Sequence, residues 1–205
     1  MRLAIIGSGD MGGALATAFS ERSTHHVVVR GATPGSESVL GLVRSLGIAE
    51  AGHDDALSAD VLFLVIPWSA LSAATSELEN YRGVLVSVVV PWDANAPVFP
   101  IAESAAERIA RSIPGARTVC AFTTVSSSVI RRPGSAQKTS VIACSDDPGA
   151  RETVMQLGRD IGFEPFNGGG LKAARYAESM GLLWASLAFD AGYGERVGFR
   201  VQVAD

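Results

Sequence analysis

Short hydrophobic runs and amphipathic segments alternate along this chain. A short unbroken apolar run is typical of a strand buried on both faces, as in a parallel sheet. Hydrophobic residues that recur every three or four positions are typical of a helix with one buried face. The pattern predicts strands over residues 3–6, 27–29, 48–51, 61–67, 84–90, 118–124, 139–145 and 164–166, and helices over residues 11–22, 34–46, 69–78, 100–113, 148–161 and 171–189.

This alternation predicts an α/β fold: a Rossmann-type doubly wound, mostly parallel sheet with a small C-terminal helical segment. Residues 1–166 form the predicted doubly wound domain. The glycine-rich stretch 167–170 is the boundary that composition suggests. Residues 167–205 are too few for an independent domain and are predicted to supply one long helix and an irregular tail. Residues 126–137 are predicted to be a loop.

A glycine-rich turn joins the first predicted strand to the first predicted helix. Its sequence, Gly7-Ser8-Gly9-Asp10-Met11-Gly12, matches the dinucleotide-binding pattern G-x-G-x-x-G in the required context. Gly7 allows the tight turn, Gly9 lets a pyrophosphate approach the backbone, and Gly12 lets the helix pack on the strand. The free N–H groups and partial positive charge of the helix N-terminus favour phosphate.

The end of the second predicted strand indicates which dinucleotide binds. Sites for NAD usually place Asp or Glu there to bind the ribose 2′-hydroxyl. Residues 29–33 hold no acid, whereas Arg30 can bind a 2′-phosphate and Thr33 can add a hydrogen bond. The sequence therefore favours NADP(H). The alternative is that Arg30 is an ordinary solvated surface residue.

Composition excludes several classes of protein. A net charge of -4 leaves no basic surface for nucleic acid. No apolar run reaches the ~18 residues that a membrane span needs, and the chain opens on a strand rather than a signal peptide, so we expect a cytoplasmic protein without a membrane partner. Cys120 and Cys144 lie in apolar strand-like runs and are interpreted as small buried hydrophobic residues.

A second site is predicted beside the nicotinamide, because such clefts open at the carboxyl ends of parallel strands. Those ends carry Ile66-Pro67-Trp68, Val90-Pro91-Trp92 and residues 121–124. The two tryptophans either cover a planar ligand or pack in the interior. No residue is identified as catalytic and no metal-ligand cluster is found. Hydride transfer between two bound planar molecules needs positioning and exclusion of water more than a protein acid or base.

Several longer motifs resemble the NADPH-dependent reductases of the deazaflavin coenzyme F420, the F420-dependent NADP oxidoreductases. They are RLAIIGSGDMGGALA at residues 2–16, VIPW at 65–68, VVVP at 88–91, AESAAERIARSIPGARTVCAFTTV at 102–125, GGGLKAARYAESMGLL at 168–183 and GYGERVGF at 192–199. The resemblance covers nearly the whole chain. It implies a small homodimeric enzyme that acts on a small-molecule redox substrate.

The resemblance also implies a site for each substrate. NADP would lie along the glycine turn, Arg30, Gly31 and residues 66–68. Coenzyme F420 would stack on the nicotinamide, and a hydride would pass between C4 of the nicotinamide and C5 of the deazaflavin. The implied second-substrate residues are Thr123, Thr124, Ser127, Val197 and Gly198, beside Pro91.

Two departures from the family pattern leave other functions open. Arg30-Gly31 stands where relatives often carry Ser-Arg, and residues 123–126, TTVS, replace a common His-Thr-Ile-Pro. The second departure touches the acceptor pocket. The alternatives are an NADPH-dependent reductase of another acceptor, such as a flavin, quinone, imine or ketone, and a protein that holds NADP without turnover.

The last predicted helix is apolar around much of its girth, so it must be buried. We expect this helix to complete the second-substrate pocket and to pack partly against a second copy of the chain. Its large apolar residues are Met180, Leu182, Leu183, Trp184, Leu187 and Phe189.

Overall fold

A six-stranded parallel sheet forms the centre of the computed structural model, which describes residues 1–92, 102–132 and 139–204. The strand order is β3-β2-β1-β4-β5-β6, so the order reverses between β1 and β4. In sheets of this kind the crevice outside the carboxyl ends at the reversal is the usual ligand site. The strands are β1 Arg2–Ile6, β2 His26–Arg30, β3 Ala49–Glu50, β4 Val61–Leu64, β5 Val84–Ser87 and β6 Arg117–Cys120.

Helices cover both faces of this sheet, which confirms the predicted Rossmann-type architecture. Because side chains alternate along a strand, Leu3 and Ile5 of β1 enter one core and Ala4 and Ile6 enter the other. The first core is closed by α1 and α7, and the second by α4 and α5. The helices are α1 Asp10–Arg22, α2 Glu37–Leu46, α3 His53–Leu57, α4 Leu71–Glu77, α5 Ala105–Ser112, α6 Ser127–Arg131, α7 Pro148–Asp160 and α8 Ala174–Ala185.

The last two predicted strands do not join the main ladder. Strands β7 Ser140–Ala143 and β8 Glu164–Asn167 pair with each other in parallel. A single antiparallel bridge, with reciprocal N–H to carbonyl hydrogen bonds of 2.9 and 3.0 Å between Cys120 and Cys144, connects this pair to the end of β6. Both cysteines are buried free thiols.

Several predicted element boundaries are wrong for local reasons. Helix α2 begins at Glu37 instead of residue 34, because Gly35 takes a left-handed conformation with φ of +67°. The short helices α3 and α6 form in segments predicted to be loops. The last helix ends in a π-helical turn, Ser186–Asp190. The predicted helix at 100–113 and loop at 126–137 lie partly outside the described residues.

Two carboxyl groups, one of them fully buried, fasten α8 to α5. Glu178, which is fully buried, accepts hydrogen bonds from the backbone N–H groups of Ala105 (2.8 Å) and Ala106 (3.1 Å), two donors at the N-terminus of α5. Arg175 donates two hydrogen bonds to Glu107, at 2.7 and 2.8 Å.

Within the described residues, no helix is both long and apolar enough to cross a membrane.

Glu178 makes the stability of the fold depend on pH. Burial raises the pKa of Glu178 from 4.5 to about 7, although the N–H groups of Ala105 and Ala106 oppose the shift. A carboxyl group that holds its proton more tightly when folded stabilises the protein fully below pH 4.5, and this contribution is lost as the pH rises through 7. A pKa shift of this size corresponds to a loss on the order of 3 kcal/mol from the free energy of unfolding.

We therefore expect Glu178→Gln to flatten the fall in the free energy of unfolding between pH 5 and pH 7. Urea denaturation at several pH values measures this slope. Glu152→Gln is the matched control, because the Glu152 carboxylate is largely exposed and paired with Arg159. An unchanged slope in Glu178→Gln would contradict the assignment.

Candidate functional site

Three adjoining cavities form one cleft across the carboxyl ends of β1, β4 and β5. The outer cavity, about 350 Å³, lies between the end of β2 and α4. The middle cavity, about 230 Å³, shares Gly9 with the outer one and Met11 with the next. The inner cavity, about 330 Å³, reaches α8 and the tail. The cleft therefore runs past the glycine turn at the point where the strand order reverses.

The three glycines of the turn are required for different reasons. Gly7 has φ of +118°, and a Cβ there would collide with the carbonyl oxygen of Val65. A Cβ on Gly12 would collide with the carbonyl oxygen of Gly7. At Gly9, in contrast, a Cβ would have no described atom within 4 Å. The fold thus requires Gly7 and Gly12, whereas the bare backbone of Gly9 leaves the floor of the cleft open.

The start of α1 faces this floor. Gly9 is its N-cap residue, and no side chain in the described part of the chain caps it. Backbone N–H groups of a first helical turn have no partner within the helix, so they are available to an anion. The geometry therefore fits a pyrophosphate above Gly9, as the sequence predicts.

An ion pair and an apolar patch line the outer cavity. Nη2 of Arg30, at the end of β2, lies 2.9 Å from Oε2 of Glu77, at the end of α4. Beside Glu77, Ala73 and Ala74 of α4 present only methyl groups. The alanines leave room for a flat ring. Gly31 brings the chain close to α2, since a Cβ there would lie 2.5 Å from Cγ2 of Val39.

Serine hydroxyls gather beside Gly31. Oγ of Ser8 lies 2.8 Å from Oγ of Ser38, which is 3.3 Å from Oγ of Ser36. Sequence reasoning missed Ser36 and Ser38, although a serine at the N-cap of α2 is a signal that could have found them. Thr33 lies in the exposed turn before them, where its carbonyl accepts a hydrogen bond from the N–H of Ser36, and is not among the residues that line the outer cavity.

The inner cavity has largely apolar walls. Trp92, Phe122, Trp184 and Phe189 contribute aromatic surface. Thr123 also lines this cavity and is 7% exposed, but its Oγ1 is buried in the protein beside the thiol of Cys120.

Strained backbone immediately precedes Thr123 at the cavity wall. Phe122 has φ of +63°, an uncommon conformation for a bulky residue and one that concentrates at functional sites. Its ring packs between Phe63 and Phe163, with centroids 6.1 and 6.2 Å away. Gly181 of α8 allows the helix to approach, since a Cβ there would lie 2.5 Å from the carbonyl oxygen of Thr123.

A charged group marks the junction of the middle and inner cavities. Asp10 accepts a hydrogen bond from Ser127 and lies 2.6 Å from Nη2 of Arg131. Arg131, and after it Ser127, lowers the pKa of Asp10. The carboxylate is therefore ionised and largely neutralised by Arg131, so it does not place an isolated negative charge beside the phosphate floor.

The tail closes the side of the inner cavity. The carbonyl oxygen of Glu195 accepts hydrogen bonds from Ser126 (2.6 Å) and Ser128 (2.8 Å). Nε1 of Trp184 donates to the carbonyl oxygen of Val197 at 2.8 Å. Sequence reasoning missed Trp184 and Glu195 as lining residues, because a helical pattern does not show which face meets a ligand.

The predicted site residues separate into lining and supporting positions. Along the cleft, the lining positions are Gly7, Ser8, Gly9, Asp10, Met11, Gly12, Arg30, Gly31, Ile66, Pro67, Thr123 and Ser127. The supporting positions lie outside the lining. Pro91 and Thr124 are buried, and the ring of Trp68 packs against Arg108, whose Cζ lies 5.4 Å from the ring centroid. Val197 accepts the hydrogen bond of Trp184, and Gly198 lies against Thr139.

Similar proteins are oxidoreductases. A family model described as NADP oxidoreductase, coenzyme F420-dependent, matches residues 2–91. Metalloreductase STEAP3 of Rattus norvegicus is 29% identical over 182 residues, which cover 88% of this chain and 36% of that protein. The chain thus spans only about a third of the length of this curated relative.

Solved structures share the fold over most of the chain. A candidate F420-dependent NADP reductase from Arthrobacter sp. FB24 superposes with a TM-score of 0.85 at 22% identity, covering 99% of this chain and 100% of that one. A reductive aminase from Aspergillus terreus, in complex with NADPH and ethyl-5-oxohexanoate, gives a TM-score of 0.68 at 16% identity, covering 91% of this chain and 63% of that one. The resemblance inferred from the sequence is confirmed: residues 2–91 match the family model described as NADP oxidoreductase, coenzyme F420-dependent, and the whole chain shares the fold of a candidate member.

Proposed function

We propose that this protein transfers a hydride between NADP(H) and the deazaflavin coenzyme F420. The observation that carries the proposal is the continuous cleft, in which the open floor at Gly9 connects a cavity lined by Arg30 to an aromatic cavity lined by Thr123. Such a cleft is suited to a dinucleotide that lies across the glycine turn and meets a second planar molecule at its inner end.

The chain offers groups for each part of NADP. The N–H groups at the start of α1 would bind the pyrophosphate, and the alanine wall of α4 would pack on the adenine. Arg30 would meet the 2′-phosphate, with the hydroxyls of Ser8, Ser36 and Ser38 close by. Thr33 stays a prediction as a further donor.

The inner cavity would hold the second substrate. The nicotinamide supplies the hydride when NADPH is bound, and the residues of this cavity position the acceptor and exclude water. Trp92 and Trp184 offer flat apolar surface. Thr123 lines the same cavity, and its hydroxyl would turn from the thiol of Cys120 to donate a hydrogen bond to a carbonyl or ring nitrogen of the acceptor. Residues 167–205 would complete this pocket through α8 and the carbonyl oxygen of Glu195.

A smaller acceptor is the second candidate. The tail segment at Glu195 is tied to Ser126 and Ser128 and limits the inner cavity to about 330 Å³. This volume lies within the range for small-molecule sites. An imine, ketone, quinone or flavin ring that accepts a hydrogen bond from Thr123 would then take the hydride. The metalloreductase name belongs to relatives about two and a half times as long as this chain and does not carry over to it.

We also propose that the enzyme is a homodimer. Tyr176 and Leu183 stand one above the other on α8, and Phe189 and Tyr193 follow them. Each of the four side chains is more than half exposed. Large apolar residues grouped on one surface favour burial against a partner, and a second copy of the chain presents the same surface.

Gly9→Val tests the dinucleotide floor. The added side chain would project into open cleft and clash with no described protein atom, so the unliganded protein should keep its melting temperature while NADPH affinity falls at least about tenfold. Fluorescence titration with NADPH measures the affinity. Gly12→Val is the contrasting variant and should unfold the protein. Unchanged NADPH affinity in Gly9→Val would show that the pyrophosphate does not bind at this turn.

Anaerobic stopped-flow absorbance with NADPH and oxidised F420 tests the reaction. The visible absorbance of the deazaflavin should disappear, and Thr123→Val should slow the reaction by about tenfold or more while NADPH binding is kept. Ser45→Ala, on the exposed side of α2, is the control. If F420 is not reduced although NADPH binds, another acceptor is favoured. A panel of imines, ketones, quinones and flavins is then tested as hydride acceptors. Inactivity with all of them would indicate a non-catalytic NADP-binding protein.

Sedimentation velocity at micromolar concentration tests the dimer. The wild-type chain should sediment as a dimer, and Leu183→Arg should shift it toward the monomer, because a charge buried in an apolar interface is unfavourable. Leu40→Arg is the matched control, since Leu40 is also exposed but lies on α2. A monomeric wild-type chain would refute the proposal.

A further inference from the structure

An ion pair crosses the outer cavity where the 2′-phosphate of the proposed cofactor would lie. Arg30 is the last residue of β2, and Glu77 is the last residue of α4. The two side chains approach from opposite sides of the cavity and meet at 2.9 Å. The Arg30 side chain is 21% exposed and that of Glu77 is 54% exposed, so the arginine is held inside and the carboxylate stands at the rim.

The ion pair engages Arg30, the side chain that should distinguish NADP from NAD. An arginine binds a phosphate best when its N–H groups face two phosphate oxygens, and a carboxylate competes for the same donors. A 2′-phosphate that draws Arg30 away would also leave the carboxylate of Glu77 without its partner and close to a dianion. NAD carries a 2′-hydroxyl on this ribose, which does not draw Arg30 away and leaves the ion pair intact.

We propose that Glu77 is a specificity-determining residue, which holds Arg30 back from the 2′-phosphate and thereby reduces the preference of this protein for NADP(H) over NAD(H). The proposal rests on the proposed binding of NADP in this cleft. A β2 end without an acidic residue would then discriminate only weakly, because the acid that opposes the phosphate comes from α4, across the cavity. Its effect is modest, because the carboxylate is more than half exposed.

Glu77→Gln tests the proposal, because it removes the charge and keeps the shape. Fluorescence titration should give an NADPH dissociation constant about three- to tenfold lower than that of the wild-type protein, with the NADH constant unchanged within about twofold. The gain should shrink at high salt, because both partners are partly exposed. Glu79→Gln is the matched control: it makes the same change of charge on an exposed residue two positions along, outside the cavity.

The same substitution in an Arg30→Ala background shows whether Glu77 acts through Arg30. Most of the gain should vanish there, since no guanidinium remains to be released. An equal gain in both backgrounds would overturn the proposal, because the carboxylate would then act on the phosphate directly. Unchanged NADPH affinity in Glu77→Gln, with normal binding by the wild-type protein, would overturn this inference alone. A wild-type protein that binds neither dinucleotide would overturn the proposed function as well.

Discussion

The close approach of the glycine turn to the end of β4 determines where the site can form. The Val65 carbonyl oxygen lies beside Gly7, and the Gly7 carbonyl oxygen lies beside Gly12. Strand, turn and helix are therefore packed so closely that neither glycine has room for a methyl group. This packing fixes the first turn of α1 at the reversal of strand order. The neighbouring cavities follow from it, because the β2 end and α4 lie on one side of the turn and the α8 segment lies on the other.

The two ends of the cleft are built in different ways. The outer end belongs to the six-stranded sheet and its helices, so its shape is fixed by the main hydrophobic cores. The inner end is assembled from separate pieces: the turn after β6, the π-helical end of α8 and the tail. Carboxylates of Glu178 and Glu107 fasten α8 in place through specific hydrogen bonds instead of a large apolar interface. Substrate selection at the inner end can therefore change without altering the fold of the outer end.

The sequence predicts the outer end of the cleft far better than the inner end. A buried strand followed by glycines at fixed spacing is a local pattern, and the architecture follows from repeating strand and helix signals. The left-handed Phe122 is not predictable in this way, because it interrupts a run of residues that reads as a strand to Thr124. The Arg30–Glu77 and Glu178–Ala105 contacts join residues 47 and 73 positions apart, and no local pattern specifies them.

The attachment of the tail has a kinetic consequence. Between Glu195 and Val201 the tail is held by a few hydrogen bonds. The side chains of Ser126, Ser128 and Trp184 and the N–H of Ser140 donate to its carbonyl oxygens, and Oγ of Ser140 accepts from the N–H of Val201. Opening this segment would break only those bonds and leave every strand of the main sheet paired. Partial opening of such a weakly held element is far more frequent than global unfolding. Exchange of any ligand held in the inner cavity would then depend on local opening of the tail, at a rate unrelated to the stability of the whole molecule.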